Sequence, residues 1–486
     1  MMFDVAARAK GLALMLTQWA SVTGSPDEAQ LPKKLAAHLN FDKVWLAALP
    51  GDGAGRSNVF ALKRGTSRRT IVLTGHYDVV SVEDYGSLRH LAFDSDLLLT
   101  ASIKRLRDTG ENPLALADFE SGDFLPGRGL LDMKAGLAAG LAAMEAYQGD
   151  ATLVFVGVAD EEEKSAGARS AVPQLKLLAS EEGLDIALVI NLDAIADKGD
   201  GSSARVVTYG SIGKQLLTAL VIGKQTHAGY PQNGVNAAYV LSELVQEIEL
   251  SPELSEATGN EVAAPPATLF AKDLKQGYNV TTPHRAFAYW NTMQHRRSGA
   301  EVLDIAMVLA ARAVARAEKK TGQGIALKRV AEFPALQHMV QNSALSLPEQ
   351  SLEALLAITS AVDEPNVIMG FGSIPYPAVV MQDMRLREVI GAAVRAFGLG
   401  EVNYFAGISD MSFFGESQED LSVVAANTPI WGRGFKMPEP AGYPTINIGP
   451  WGRDYHTWLE RLHAPYAFEV LPRVLLSVID AVAKKS

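Results

Sequence analysis

The chain has 486 residues, of which 48% are apolar and 20% are charged, a balance typical of globular proteins. This length exceeds one ordinary hydrophobic core, so two domains are expected. The 44 basic and 55 acidic residues give a net charge of −11, which disfavours binding to nucleic acid or to an anionic membrane. Because there is no cysteine, disulfides and thiolate metal sites are excluded, and any metal must be held by His, Asp and Glu.

The N-terminal segment predicts an amphipathic helix rather than an export signal. Asp4 comes early, Lys10 interrupts the apolar residues, and Gln18 and Trp19 follow without a small-residue cleavage site. No stretch reaches about 18 uninterrupted apolar residues, so no membrane span is predicted. A cytoplasmic location is therefore expected.

The following part of the chain alternates between strand-like and helix-like patterns. Continuous apolar runs predict buried strands in TIVLTGH, ATLVFVGVAD, DIALVINLD and ARVVTYG, and the segments between them have helical composition. Sheets built from β-α-β units bind ligands beyond the carboxyl ends of their strands. His76, Asp160 and Asp193 all follow such strands, so an α/β domain with its site at that edge is predicted.

Residues 210–328 have a strand-helix-strand-helix pattern, which predicts a separate α+β domain inserted into the first. The first domain is then discontinuous and comprises residues 1–209 and 329–486. The polar, weakly periodic segment 82–124 is interpreted as an insertion or lid loop.

Two motifs in the first third of the chain offer candidate metal ligands. In TGHYDVV, His76 follows an apolar strand, and Asp78 is predicted to accept a hydrogen bond from the histidine nitrogen that does not bind metal. An isolated pair of this kind usually caps the backbone instead. In GRGLLDMKAG, Asp132 precedes a helix, where it is either an N-cap or a carboxylate that bridges two cations.

The acidic run after Asp160 offers a ligand and a base. Such runs are usually solvated loops, but this one ends a predicted buried strand. One glutamate is predicted to bind metal while its neighbour acts as general base on water. Glu161 is assigned as the base and Glu162 as the ligand, with Glu163 as the alternative.

Asp193 in VINLDAIAD and His456 in GPWGRDYHTW complete the candidate ligands, with Asp197 and His463 as the respective alternatives. None of these motifs is specific alone. Their order and flanking residues together indicate a two-metal hydrolytic centre, and this ligand chemistry suits zinc, cobalt or manganese.

These strings resemble the co-catalytic zinc peptidase family of aminoacylase, carboxypeptidase G, acetylornithine deacetylase and succinyl-diaminopimelate desuccinylase. The resemblance covers most of the chain and is carried by SVTGSPDE, GHYDVV, GRGLLDMKAG, DEEEKSAGA, THAGYPQNGVNAA, GYNV, GISDMS and IGPWGRDYHTWLE. It implies an α/β zinc-peptidase (phosphorylase/hydrolase-like) catalytic domain, an inserted ferredoxin-like α+β lid and dimerisation domain, and a homodimer. Three features resemble the branch of arginine-utilisation proteins: the long spacing from His76 to Asp132, the lack of an arginine at the end of the string RAFAYWNTM, and the string DYHTWLERLHAPY.

The resemblance also implies how two divalent ions, foremost zinc, are held. One ion is bound by His76 together with Glu162 or Asp193, and the other by the remaining carboxylate and His456. Asp132 bridges the two ions, and the peptide bond that follows the bridging aspartate is cis in this family.

The inserted domain of the family contributes substrate contacts. His227 in THAGYP and Asn279 in GYNV match a histidine and an asparagine that contact substrate oxygens, and the histidine often acts across a dimer interface. From the residues alone, His227 is equally well a turn residue. The family usually places an arginine near the end of the next strand to bind a free carboxylate. Here that strand reads RAFAYWNTM, and Arg296 and Arg297 follow it.

The sequence therefore predicts metal-dependent hydrolysis of an amide or peptide bond in a small peptide or N-acyl amino acid. Glu161 is the expected base, and His227 is expected to stabilise the oxyanion. The alternative is a catalytically silent regulatory or binding protein on the same fold. Loss of the base or of a ligand would mark that alternative, and the sequence retains all of them.

Overall fold

The structure, a computed structural model, describes residues 3–334, 345–431 and 439–484. A first sheet of eight strands has the order Lys43–Ala48, Ser57–Lys63, Thr152–Val158, Arg69–His76, Asp185–Asn191, Thr445–Asn447, Val206–Thr208 and Gly400–Val402. Its four central strands, from Thr152–Val158 to Thr445–Asn447, run parallel to one another. The predicted α/β architecture is thereby confirmed.

Helices cover both faces of this sheet, which explains why its central strands are continuously apolar. Ile71 and Leu73 belong to a core shared with the helices Val5–Gln18, Ala135–Ala146 and Leu471–Ala483. Val72, whose side chain points the other way, packs with the helix Ala166–Glu182. Strands buried on both faces lose the polar alternation of a half-exposed sheet.

A second sheet of five strands has the order Ala267–Asp273, Arg285–Gln294, Gly213–Ile222, Asn366–Phe371 and Ala326–Arg329. The helices Ala237–Ile248 and Gly299–Thr321 pack on one face, and Leu355 of the helix Leu347–Ile358 packs on the other. The predicted strand-helix-strand-helix set is present and forms the centre of this unit.

The predicted end of the inserted segment at residue 328 is wrong for this sheet. Asn366–Phe371 pairs antiparallel with Gly213–Ile222 along six positions, so the unit extends to about residue 371. The chain enters through Gly210–Ser211 and leaves through Val379–Val380, and these two connections pair with each other. The helix and strand after residue 328 resemble α/β segments locally, and only their pairing assigns them to the second sheet.

The segment 82–124 is not the loop that its weak periodicity predicted. It contains a 3₁₀ segment at Glu83–Leu91 and the helices Ser95–Thr109 and Pro113–Ser121, followed by the strand Phe124–Pro126. Asp94 caps the first of these helices through a hydrogen bond from the amide of Leu97.

The predicted N-terminal helix is present at Val5–Gln18, where the Asp4 carboxylate accepts hydrogen bonds from the amides of Ala6 and Ala7. Of the helices in the described ranges, none is both long and apolar enough to cross a membrane. The remaining helices are Leu31–His38, Met384–Arg395, Met411–Phe414 and Leu421–Ala426, and short strands lie at Ile195–Ala196, Ala257–Thr258, Glu261–Val262, Trp451–Arg453 and Arg461–His463.

Candidate metal centre

Three neighbouring parallel strands bring acidic and imidazole groups to one edge of the first sheet. His76 is the last residue of Arg69–His76, and the run Asp160–Glu162 and Asp193 come just after the strands on either side. Because the strands are parallel, their carboxyl ends meet at the same edge. The structure therefore brings together these candidate ligands, as their positions in the sequence indicated.

Asp132 and His456 reach the same edge from loops. Asp132 lies immediately before the helix Ala135–Ala146, and the Asp132–Met133 peptide bond is cis, as the family resemblance implied. His456 lies between the strands Trp451–Arg453 and Arg461–His463, with a positive φ of 62°. This left-handed conformation is uncommon for a residue with a side chain, and such residues cluster at functional sites.

The candidate ligands form two groups that share Asp132. In the first, His76 Nε2 lies 3.1 Å from Asp132 Oδ1 and 3.9 Å from Asp193 Oδ1. In the second, His456 Nε2 lies 3.2 Å from Asp132 Oδ2 and 3.1 Å from Glu162 Oε2. The ligand atoms of each group lie within 4.8 Å of one another. The geometry thus pairs Asp193 with His76 and Glu162 with His456.

The side chains of this cluster fit two divalent cations. No lysine or arginine in the described ranges forms an ion pair with the carboxylates of Asp132, Glu162 or Asp193, and Glu162 Oε1 is buried without a hydrogen-bond partner there. Buried carboxylates are costly unless positive charge compensates them, and divalent ions held between these histidines and carboxylates would supply that charge. The two oxygens of Asp132 point to separate histidines, as a bridging carboxylate requires.

The electrostatics of the protein without metal reflect the same arrangement. Burial lowers the pKa of His456, but hydrogen bonds to Asp132 and Glu162 outweigh burial and raise it to about 10. Burial raises the pKa of Asp193 well above its usual range. A metal ion and a proton therefore compete for the same imidazole nitrogens, because each supplies the positive charge that these carboxylates require.

The predicted hydrogen bond between His76 and the Asp78 carboxylate is not formed. His76 Nδ1 donates instead to the backbone oxygen of Asp78, at 3.0 Å, while the carboxylate lies 3.7 Å away. The carboxylate is held elsewhere because it accepts hydrogen bonds from the amides of Glu161 and Glu162 and from the hydroxyl of Thr23. Asp78 therefore orients the imidazole through its backbone and the acidic run through its side chain.

The three consecutive glutamates point in different directions. Glu162 belongs to the second ligand group, whereas Glu161 belongs to neither and has its Oε2 4.0 Å from His76 Nε2. Burial raises the pKa of Glu161 well above its usual range. Glu163 is exposed and forms an ion pair with Lys164 at 2.8 Å. This arrangement favours Glu161 over Glu163 as the base.

Asp197 and His463, the alternatives to Asp193 and His456, make their contacts outside the two ligand groups. Asp197 accepts hydrogen bonds from the amides of Gly199 and Ser203 in an adjacent loop. His463 stacks on Trp451 with ring centroids 4.6 Å apart. Neither belongs to a ligand group.

A buried ion pair supports the loop that carries Asp132. Glu460 accepts a hydrogen bond from Arg128 at 2.8 Å and further ones from the amides of Leu131 and Asp132. Glu460 and Arg128 are each about 1% exposed. The pair fixes the backbone of Asp132, and the sequence analysis assigned no role to either member of the pair.

A cavity of about 280 Å³ opens onto the cluster, and its lining includes residues that the sequence analysis did not assign. Lys214, Tyr376, Phe405, Ile408 and Tyr455 line it together with the acidic residues. Lys214 is the second residue of the strand Gly213–Ile222, and Tyr376 lies between the strand Asn366–Phe371 and the connection Val379–Val380, so no local pattern marked them. Asp410, in the string GISDMS, comes two residues after the cavity residue Ile408, and burial raises its pKa to about 7.

His227 and Asn279 do not line this cavity. Both are exposed on the second unit, where the backbone of His227 pairs with Thr281. The structure thus brings the predicted ligands and base together and leaves the two predicted substrate-contacting residues on the surface of this chain.

The fold and the cluster define an α/β protein whose histidine and carboxylate groups suit two metal ions. In a comparison with known protein families, the sequence model of peptidase family M20/M25/M40 matches residues 72–430. The chain belongs to this family.

Two relatives match almost from end to end. The uncharacterized protein YqjN of Bacillus subtilis (strain 168) is 32% identical over 534 aligned residues, covering 98% of this chain and 96% of its own. Protein RocB of the same organism is 26% identical and covers 97% and 94%. These matches confirm the family and the branch that the motifs indicated.

A solved structure shows the same fold. The YXEP protein of Bacillus subtilis, described as a dinuclear metal binding peptidase from the M20 family, has a TM-score of 0.54 with 10% sequence identity. The alignment covers 99% of this chain and 98% of that one. At this identity the similarity concerns the fold alone.

Proposed function

We propose that this protein is a metal-dependent amide hydrolase acting on small peptides or N-acyl amino acids. The observation that carries the proposal is Asp132, whose two carboxylate oxygens approach two separate histidine-carboxylate groups. Such a residue suits a pair of divalent ions, foremost zinc, with cobalt or manganese as alternatives. Membership of a peptidase family supports the same chemistry.

The residues around the cavity divide the chemical tasks. When bound, two divalent ions polarise a substrate carbonyl and increase the acidity of water. Glu161, outside both ligand groups, takes a proton from the attacking water at its carboxylate and passes it to the leaving amine. Asp78 keeps this carboxylate in place through the Glu161 amide, and His76 stays oriented by its hydrogen bond to the Asp78 carbonyl.

A catalytically silent binding protein on this fold is not favoured. Such a protein would lack the base or a ligand, whereas His76, Asp132, Glu162, Asp193 and His456 are all present in two compact groups beside Glu161.

Removal of metal should test the proposal directly. Chelated protein should lose hydrolysis of a panel of N-acyl amino acids and dipeptides, because the carbonyl is no longer polarised, and zinc, cobalt or manganese should restore it. Metal analysis should then give up to two ions per chain. Full activity of rigorously metal-free protein would contradict the proposal.

We further propose that a homodimer completes the site. His227 is exposed beside Tyr230, which is 60% exposed, and Tyr278, the residue before Asn279, is 95% exposed. The edge strand Ala267–Asp273 of the second sheet exposes Leu269. Unpaired edges and exposed aromatic side chains favour association with a second copy. In the dimer, His227 and Asn279 of one copy would contact substrate oxygens in the other.

His227→Ala should lower turnover while metal content stays intact, because the change removes an oxyanion donor and no ligand, at a cost of about 10²–10³-fold. His90→Ala, which changes another exposed histidine, serves as the control. Mixing His227→Ala with Glu161→Gln protein should restore part of the activity, since hybrid dimers contain one intact site. A fully active monomer in dilute solution would exclude this role across an interface.

A further inference from the structure

We infer that Lys214 binds an anionic group of the substrate, a carboxylate, and thereby restricts the enzyme to carboxylate-bearing amides. This inference rests on the proposed function and specifies its substrate class. Lys214 is the only lysine or arginine among the described residues that line the cavity of the metal cluster.

The position of Lys214 is fixed by backbone pairing on both sides. Its amide donates to the carbonyl of Tyr376 at 2.8 Å, and the Tyr376 amide donates back at 3.0 Å. On its other side, Lys214 pairs with Met293 of the strand Arg285–Gln294. A strand held between two partners aims its side chains more accurately than a free loop does. The ammonium lies 5.8 Å from the centre of the Tyr376 ring, a second cavity residue.

The ammonium of Lys214 has no carboxylate partner. It is half-buried, and within the described ranges no acidic residue forms an ion pair with it. Burial lowers the pKa of Lys214, and the more distant charge of Glu161 opposes that shift. A partly desolvated cation without a partner is costly, and a ligand carboxylate would relieve that cost.

The charge balance of the centre with two metal ions bound also favours an anionic ligand at Lys214. Of the five carboxylates in the cavity lining, Glu163 pairs with Lys164, and the other four match the charge of two divalent ions. Lys214 then remains as an uncompensated positive charge on the cavity wall. Such a charge attracts an anionic ligand and rejects a substrate that would leave it unpaired.

The other nearby cations are directed elsewhere. Arg296 and Arg297, which follow the strand Arg285–Gln294, line a different cavity of about 460 Å³. Arg297 also donates to the carbonyl of Glu253. Met293, which pairs with Lys214 one residue before this strand ends, carries an uncharged thioether. Lys214, on the adjacent strand, is the cation that lines the cavity of the metal cluster.

The bound carboxylate has two possible sources in an N-acyl amino acid, the α-carboxylate of the amine half or a carboxylate on the acyl half. Three compounds built on the same amino acid separate them. The first is the N-acetyl amino acid, and the second is the N-succinyl amino acid with its α-carboxylate converted to an amide. The third is the N-acetyl amino acid with its α-carboxylate converted to an amide. The first carries only the α-carboxylate, the second only the acyl carboxylate, and the third neither.

The experiment compares wild-type, Lys214→Met, Lys214→Arg and, as control, Lys224→Met, which changes an exposed lysine just beyond the same strand. Binding to metal-loaded protein is measured by calorimetry, and kcat and KM are measured wherever hydrolysis occurs. Lys214→Met should weaken binding and kcat/KM about 10- to 100-fold for one carboxylate-bearing compound, because a charge-assisted hydrogen bond is lost. The neutral compound should be unaffected, Lys214→Arg should retain most of the selectivity, and metal content should be equal in all variants.

The calorimetric arm keeps this inference distinct from the proposed function. If wild-type protein binds a carboxylate-bearing compound selectively but hydrolyses none, the proposed hydrolysis fails and the role of Lys214 stands. Equal binding of all three compounds by the wild type would overturn the role of Lys214. An equal fall in kcat for charged and neutral substrates in Lys214→Met would overturn it as well, since the lysine would then act on the chemistry.

Discussion

Asp132→Ala is expected to remove both metal ions and to abolish hydrolysis. Asp132 is the only residue common to the two ligand groups, with Oδ1 facing His76 and Oδ2 facing His456. Without it, each group keeps one histidine and one carboxylate, and two cations would face each other with no anion between them. The loss of metal affinity should exceed the roughly 10–100-fold that removal of an outer supporting contact costs.

Metal analysis of the purified variant after dialysis, with calorimetric titration of the metal-free form, measures this loss. Asp197→Ala is a suitable control because Asp197 is acidic and close to Asp193 in sequence but belongs to neither group. His456→Ala should weaken mainly one ion. Undiminished metal content in Asp132→Ala would show that this carboxylate does not bridge.

Glu161→Gln is expected to keep its metal and to lose about 10²- to 10⁴-fold in kcat. The amide preserves the size of the side chain but cannot accept a proton from water. Glu161 lies outside both ligand groups, and its backbone is held by Asp78, so the substitution leaves the ligands in place. Glu162→Gln, in contrast, should lower metal affinity, since Glu162 is grouped with His456.

Parallel measurements of kcat and metal content on both variants decide between these roles. Glu163→Gln is the matched control, because Glu163 is exposed and paired with Lys164. An exchange of the two phenotypes, or an essential Glu163, would shift the assignment of the acidic run by one residue.

The residues of the candidate centre were predictable because their signals are local. His76, Asp193 and the acidic run each follow a continuously apolar strand, and parallel strands collect their carboxyl ends at one edge. For Asp132 the local signal was its position in GRGLLDMKAG, just before the helix Ala135–Ala146. Sequence order and strand type therefore indicated the candidate groups, and the structure separated Asp193 and His456 from their alternatives Asp197 and His463.

The structural support for these groups was not predictable. The carboxylate of Asp78 accepts hydrogen bonds from the acidic run and not from His76. A strand pattern predicts the side to which a residue points, but it does not predict which hydrogen-bond donors lie on that side. The segment 82–124 forms two helices despite weak periodicity, because packing between them supplies the stability that their sequences lack.

The sequence by itself determined the class of fold, the family and the candidate ligands, because these depend on short strings and their order. Only the tertiary structure decided which carboxylate joins which histidine, and that residues 366–371 complete the second sheet. It alone brought Lys214 to the cavity. The physical reason is the same in each case: pairing between distant strands is a long-range interaction, and neither hydrophobic period nor residue type encodes which partner a strand will meet.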